Sequence, residues 1–144
     1  MKKKISPYLV VSIVLAAALL TLPPSLQTPN DCDTTDVLPA SAEVRNPDGR
    51  SYIGFDLNGQ NLTFGILSPG AMAKRSAFAE YTKAATVYVW PEGGLSSWLI
   101  ISPKKFDLDP SQKQEVSFTL LVPDTAKEGK YNSMVVFCYQ DKLE

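Results

Sequence analysis

The chain has 144 residues, the size of about one domain, and its 44% apolar and 20% charged residues are typical of a globular protein. With 14 basic and 15 acidic residues the formal net charge is −1, so we expect no nucleic-acid partner. There is no histidine and there are two cysteines, which argues against histidine-dependent catalysis and against a tetrahedral zinc site. The composition therefore predicts a non-catalytic protein without metal or cofactor.

The first predicted element is a transmembrane helix over residues 5–22, a run of eighteen residues without a charged side chain. At 1.5 Å per residue such a helix is about 27 Å long, close to the roughly 30 Å hydrocarbon core of a bilayer. Lys2, Lys3 and Lys4 precede the run and aspartates follow it. The positive-inside rule then places residues 1–4 in the cytoplasm and the rest of the chain outside the cytoplasmic membrane.

Whether this segment is removed depends on a cleavage site of small residues directly after the apolar run. The nearest suitable triplet, Ala40-Ser41-Ala42, lies about twenty residues too late. We therefore predict an uncleaved signal anchor, with a cleaved signal peptide as the alternative.

Residues 23–41 are predicted to form a linker, because they contain four prolines and three aspartates. Asp31, Asp33 and Asp36 are a candidate cation site, since hard cations prefer clustered carboxylates. Their spacing does not fit an EF-hand loop, and acidic residues are ordinary in a solvated linker. We predict no metal site here.

Cys32, in this linker, and Cys138, near the C-terminus, both lie on the predicted oxidising side of the membrane and allow one intrachain disulfide. The last predicted strand has two apolar faces, with Met134, Val136 and Cys138 on the second. A linker folded back over that second face would bring Cys32 to Cys138. Two free thiols, or an intermolecular bridge through Cys32, are the alternatives.

From about Ala42 onward, short runs of alternating apolar and polar residues are separated by turn residues such as Asn58-Gly59 and Glu128-Gly129. The clearest strand covers residues 114–122, where the residues facing one way are Val116, Phe118, Leu120 and Val122. The other predicted strands cover residues 52–57, 62–66, 74–82, 86–90, 98–102 and 130–139. About seven strands within residues 42–144 predict an all-β fold, an immunoglobulin-like antiparallel β-sandwich.

Several short motifs follow one another in this region. In chain order they are Leu62-Thr63-Phe64-Gly65, Ser68-Pro69-Gly70, Trp98-Leu99-Ile100-Ile101-Ser102-Pro103, Phe106-Asp107-Leu108-Asp109-Pro110, Val122-Pro123-Asp124 and Gly129-Lys130-Tyr131. Over about residues 61–139 this order resembles prokaryotic envelope immunoglobulin-like modules of the BACON, major-sperm-protein-like and alpha-galactosidase-associated type. The resemblance implies a core position for Trp98 and a core strand beginning at Tyr131. The alanine-rich residues 71–79 and Cys138 depart from the pattern.

Two surface features are candidate sites. Asn61-Leu62-Thr63 is an N-glycosylation sequon on the predicted outer side of the membrane, with Asn61 as the acceptor. Tyr88 and Trp90 are a candidate ligand platform, and Trp90 is expected at a loop rim because Pro91 follows it. Aromatic residues at strand spacing are more often part of a core, which is the alternative for both.

The functional prediction is a membrane-anchored module outside the cytoplasm that binds another protein of the envelope or surface layer. One alternative is an accessory (stator) or minor subunit of a surface filament, such as a pilus or an archaellum-like machine. A carbohydrate-binding module is a weaker alternative. An envelope hydrolase is disfavoured because no histidine is present to activate a serine.

Overall fold

The computed structural model describes residue 29 together with residues 31–46 and 61–142. These residues form strands and no helix. In chain order the strands are β1 (Thr34–Val44), β2 (Leu62–Leu67), β3 (Met72–Glu80), β4 (Ala85–Gly93), β5 (Leu99–Ser102), β6 (Lys105–Leu108), β7 (Lys113–Leu121) and β8 (Gly129–Asp141). The predicted membrane segment, residues 5–22, and the predicted strand at residues 52–57 lie outside the described residues. Within the described part of the chain, no helix has the length and apolarity that crossing a membrane requires.

The strands form two sheets. The larger has five strands in the order β2-β1-β8-β4-β6, and the smaller has three in the order β3-β7-β5. All pairs are antiparallel except β1 and β2, which run parallel. The expectation of a wholly antiparallel fold is therefore wrong for this pair. Residues 45–61 separate the two strands, and parallel neighbours need a connection of about that length.

The core lies between the two sheets, as the alternating sequence pattern predicts. On β7, Val116, Phe118 and Leu120 are completely buried. On β8, the inward residues include Val135 and Phe137, and the Phe118 and Phe137 rings meet edge to face at 6.3 Å between centroids. The predicted inward face of residues 114–122 is confirmed, because period-two alternation and burial of one strand face describe the same geometry.

Strand β1 begins inside the segment for which a linker is expected. Its residues pair with β8 along the whole strand, and Ala40, Ala42 and Val44 are buried in the core. Small alanines alternating with polar residues carry little local strand signal, which is why composition favoured a linker.

Two prolines within strands, Pro39 in β1 and Pro91 in β4, are accommodated by the direction of their backbone nitrogens. The Arg45 N–H donates to the Leu67 carbonyl, so odd-numbered residues of β1 direct their N–H groups away from β8. Pro39 therefore removes no hydrogen bond from the β1–β8 ladder. In β4 the Val89 N–H donates to the Lys104 carbonyl, away from β8. Pro91 lies two residues further along the strand, so it removes no hydrogen bond from the β4–β8 ladder.

Candidate binding surface

The outer face of the five-stranded sheet carries a continuous apolar patch, which we call the outer strip. It is built from cross-strand neighbours on β1, β8 and β4, whose side chains share one face because their positions are in register. One row contains Val37, Val136 and Trp90, and the next contains Pro39, Met134 and Glu92. Together with Tyr88, the apolar members of these rows define the outer strip: Val37, Pro39, Tyr88, Trp90, Met134 and Val136.

Within the outer strip, Tyr88 and Trp90 lie two positions apart on β4 and therefore point the same way. The Trp90 indole N–H donates to the Glu92 carboxylate at 2.8 Å, which orients the ring. The Lys105 ammonium lies 4.9 Å from the centroid of the Tyr88 ring, a cation–π distance. The structure thus places the two predicted platform residues on one surface. Trp90 lies within β4, which continues to Gly93, and not at the loop rim expected for it.

In the strip Val37 is 51% exposed and Met134 is 50% exposed, whereas Val136 between them is 8% exposed. Sequence reasoning missed Val37 because it lay in the predicted linker. Met134 belonged to the second apolar face of the last strand, which the linker was expected to cover. On that face Cys138 is fully buried, whereas the Met134 side chain stays exposed.

The strip is bounded at one end by the Cys32–Cys138 disulfide. The two Cα atoms are 5.3 Å apart, and the residues are separated by 106 positions in sequence. Cys138 lies between Thr35 on β1 and Tyr88 on β4. The bond therefore attaches the chain just before β1 to the middle of the five-stranded sheet.

The other end of the strip continues into a shallow groove of about 340 Å³ that is lined by both polar and apolar residues. It lies where β2 bulges between the partners of Ser41 and Glu43, and Gly65 there has a φ of 85°. A residue without a Cβ suits this left-handed conformation and keeps the groove open. The lining residues are Ser41, Ala42, Glu43, Thr63, Gly65, Ile66, Lys130 and Asn132. Ser41 lies opposite Asn132, and Lys130 lies opposite Glu43.

The smaller sheet also exposes apolar side chains on its outer face: Met72 is 68% exposed and pairs with Leu121, and Phe78 is 66% exposed. Ile100 is 51% exposed and Leu121 is 42% exposed. Ile100 pairs with Thr119, and the next row toward the end of β5 is Ser102 with Ser117. On the smaller sheet, the polar rows of Thr119 and Ser117 separate the Met72–Leu121 pair from Phe78. On the five-stranded sheet, the exposed residues Val37 and Met134 lie in consecutive rows, and Val37 shares its row with Trp90.

The other aromatic candidates lie at the ends of the core. Tyr81 stacks on Tyr139 with ring centroids 4.8 Å apart, and Trp98 meets Tyr131 at 4.6 Å. Trp98 is half-buried and packs against the core at its margin, so the core position that the resemblance implies for it is met only in part. The fully buried residue of this segment is Leu95, whose N–H donates to the buried Ser133 hydroxyl at 2.6 Å.

The three linker aspartates make separate interactions. The Asp33 carboxylate accepts the Asp141 N–H at 2.8 Å, and the Asp31 carbonyl accepts the Gln140 side-chain amide at 2.7 Å. The Asp36 carboxylate lies near the Tyr139 hydroxyl and adds to the effect of burial in raising the pKa of that hydroxyl. Within residues 31–46 and 61–142, no group of three or more acidic or cysteine side chains is arranged to hold a metal ion.

Asn61 is exposed directly before β2, so a glycan at this position would project from the surface. Thr63, the third residue of the sequon, is half-buried, and its carbonyl accepts the Arg75 Nε–H at 2.9 Å. The glycosylation itself stays a prediction.

The shifted ionisable groups lie near the disulfide end and at β6. Burial raises the pKa of Tyr139 to about 12, and the neighbouring Asp36 carboxylate adds to the shift. The Lys83 ammonium lowers the pKa of Asp141, and Lys142 lowers that of Asp107 through a hydrogen bond. The Lys83–Asp141 and Lys142–Asp107 pairs lie at the surface, so solvent screens their electrostatic interactions.

A scan against protein-family models, a search of curated proteins and a search of solved structures each found no match to this chain.

Proposed function

We propose that this protein is a non-catalytic binding module of the cell envelope that contacts a partner protein through the outer strip. The β-sandwich is immunoglobulin-like, and residues 5–22 anchor it in the cytoplasmic membrane with residues 1–4 inside and the domain outside. The carrying observation is the exposure of Val37 and Met134, 51% and 50%, in rows that adjoin Trp90. A contiguous apolar patch of this kind on a folded domain is typical of a protein interaction site.

The composition of the surface supports a protein partner. Tryptophan, tyrosine and methionine are enriched at protein interfaces, and charged residues are depleted at their centres. The strip contains Trp90, Tyr88 and Met134, and the charged residues Glu92 and Lys105 lie beside them. The groove at one end adds the polar side chains of Ser41, Lys130 and Asn132 to the rim. Because the strip lies on regular strands, its side chains are already ordered before a partner binds.

Membrane anchoring is tested by washing membranes from the native cells with alkaline carbonate. We expect the protein to stay in the membrane pellet at the mass of the full chain, because an eighteen-residue apolar helix remains inserted at high pH. Complete release, together with a mature mass that lacks the first twenty-odd residues, would contradict the anchor.

The binding surface is tested by crosslinking in intact cells with two matched double variants. Val37→Lys with Met134→Lys places charges on the outer strip, and Ile100→Lys with Leu121→Lys places them on the smaller sheet at similarly exposed positions. We expect the first variant to lose at least tenfold of the crosslinked partner seen with the unmodified protein, and the second to retain it. Thermal unfolding of both variants establishes that they remain folded.

Equal recovery of crosslinked partner from the two variants would show that the outer strip is not the contact surface. Loss with the Ile100 and Leu121 variant alone would transfer the site to the smaller sheet.

A further inference from the structure

We propose that the Cys32–Cys138 disulfide makes β8 the load-bearing strand of the domain, so that tension from the N-terminal segment enters β8 and bypasses β1. This inference rests on the proposed function in taking the N-terminal segment as the membrane anchor. Its structural basis is the position of the bond, which joins the chain two residues before β1 to a residue within β8.

Without the bond, tension from the anchor would first load the hydrogen bonds of Asp31 and Asp33 to the end of β8 and then enter β1 at Thr34. β1 and β8 are antiparallel, and Thr34 pairs with Tyr139 near the end of β8. A pull on Thr34 away from β8 would load this terminal pair first and then each following pair in turn. When strand pairs open one after another, only one pair bears the force at any time, so a low force is enough to open them.

With the bond in place, the same tension passes from Cys32 directly to Cys138. β8 is the central strand of the five-stranded sheet, with β1 on one side and β4 on the other. Cys138 itself pairs with Thr35 and with Tyr88. Displacing β8 therefore requires both ladders to shear at once, and the pairs of each ladder share the load.

The disulfide also shortens the path between the anchor and the proposed binding surface. Val136 and Met134, two members of the outer strip, lie two and four residues before Cys138 on the same strand. A load between a bound partner and the membrane runs through this short part of β8 and the disulfide. The β1 strand, the connection to β2 and the smaller sheet lie outside the covalent path.

The test is single-molecule force spectroscopy on the full chain in detergent micelles, with one handle at the N-terminus and one at the C-terminus. For the oxidised protein we expect no unfolding step from the residues enclosed by the disulfide. Double substitution, Cys32→Ser with Cys138→Ser, should produce an added step of about 370 Å, because 106 residues then enter the path at about 3.5 Å each. This step should begin at low force, as sequential opening from Thr34 requires.

A second measurement covers the case in which the serine variant does not fold. A reductant is added to a wild-type molecule already tethered and folded, and the same long step should then appear. A long step in the oxidised protein would overturn the proposal. So would a serine variant or reduced molecule whose long step begins only at high force, because β1 would then carry the load without the disulfide.

These outcomes are independent of the anchoring test. Release by alkaline carbonate removes the proposed source of tension and leaves the pulling result unchanged. If the pulling experiment gives one of the contradicting results, the proposed path of tension through β8 is wrong, and a protein that resists carbonate extraction is still anchored in the membrane.

Discussion

The two ends of β8 close the core with aromatic pairs, but they use different supporting interactions. Near its start, Tyr131 meets Trp98, and near its end Tyr139 stacks on Tyr81. The two tyrosines are eight residues apart, so the pairs are separated by about 26 Å along the strand. Both tyrosines face inward, and each ring fills the space where the two sheets separate.

The Trp98 end is held by packing and by hydrogen bonds, of which two are local. The Tyr131 hydroxyl donates to the Lys127 carbonyl at 2.8 Å, and the Trp98 backbone N–H donates to the Leu95 carbonyl at 2.9 Å. The Leu121 N–H also donates to the Trp98 carbonyl at 2.9 Å, so this end combines local turns with links between strands.

The Tyr139 end is held by interactions that span most of the chain. The disulfide closes it covalently, and Thr34 and Tyr81 share a hydrogen bond of 2.9 Å between their hydroxyl oxygens. The Asp33 carboxylate also binds the backbone of Asp141. The comparison teaches that a sandwich end whose partners are distant in sequence needs links that offset a larger loss of chain entropy.

The largest expected effect comes from removing the covalent link at the Tyr139 end. Cys32→Ser with Cys138→Ser should lower the free energy of unfolding by about 2 to 4 kcal/mol, because the bridge closes a loop of 106 residues. Urea denaturation of the full chain in detergent measures the change. Cys32→Ser alone should have a similar effect, since either substitution opens the loop. Unchanged stability in both variants would show that the bridge does not restrain the unfolded chain.

The next largest effect is expected at the Trp98 end. Trp98→Ala should cost about 2 to 3 kcal/mol, below the value for a fully buried tryptophan because Trp98 is half-buried. Trp90→Ala, which removes the same ring from the outer strip, is the matched control and should cost about 1 kcal/mol or less. If denaturation showed equal losses for the two variants, Trp98 would not help to close the core.

The smallest effect is a pH dependence confined to the Tyr139 end. The folded-state pKa of Tyr139 is raised to about 12, above the unfolded value of about 10, so folding favours the neutral hydroxyl. This contribution is fully present below about pH 10 and is lost as the pH rises through 12. Tyr139→Phe should therefore make the unfolding free energy fall less steeply between pH 10 and pH 12.

Tyr88→Phe, on the outer strip, is the control for this measurement and should keep the wild-type slope, because it leaves the Tyr139 hydroxyl in place. A Tyr139→Phe variant with the same alkaline slope as the wild type would show that burial of this hydroxyl is not coupled to folding.

The differences between sequence expectation and structure have one physical origin. β7 was predicted because large apolar residues alternate with polar ones over its length, and that pattern is local. β1 was not predicted, because its inward residues include the small Ala40 and Ala42 and its outward residues include Pro39, which give little alternation of large apolar and polar side chains. These residues form a strand only because β8 lies beside them and supplies their hydrogen-bond partners.

The same reasoning separates the parts of the candidate site. Tyr88 and Trp90 could be placed on one face from their spacing alone. Val37 and Met134 could not be joined to them, because their proximity depends on the order β1-β8-β4 in the sheet. Whether Cys32 forms the intrachain disulfide, stays a free thiol or bridges to another molecule likewise depended on whether the segment around it packs against β8.

By itself the sequence determined the all-β character, the inward faces of the late strands and the turns between them, because alternation and turn residues act over a few positions. Only the tertiary structure decided that β1 enters the sheet between β2 and β8, that β1 and β2 run parallel, and that the outer strip is continuous. Each of these depends on contacts between residues far apart in the chain, and such contacts leave no local pattern in the sequence.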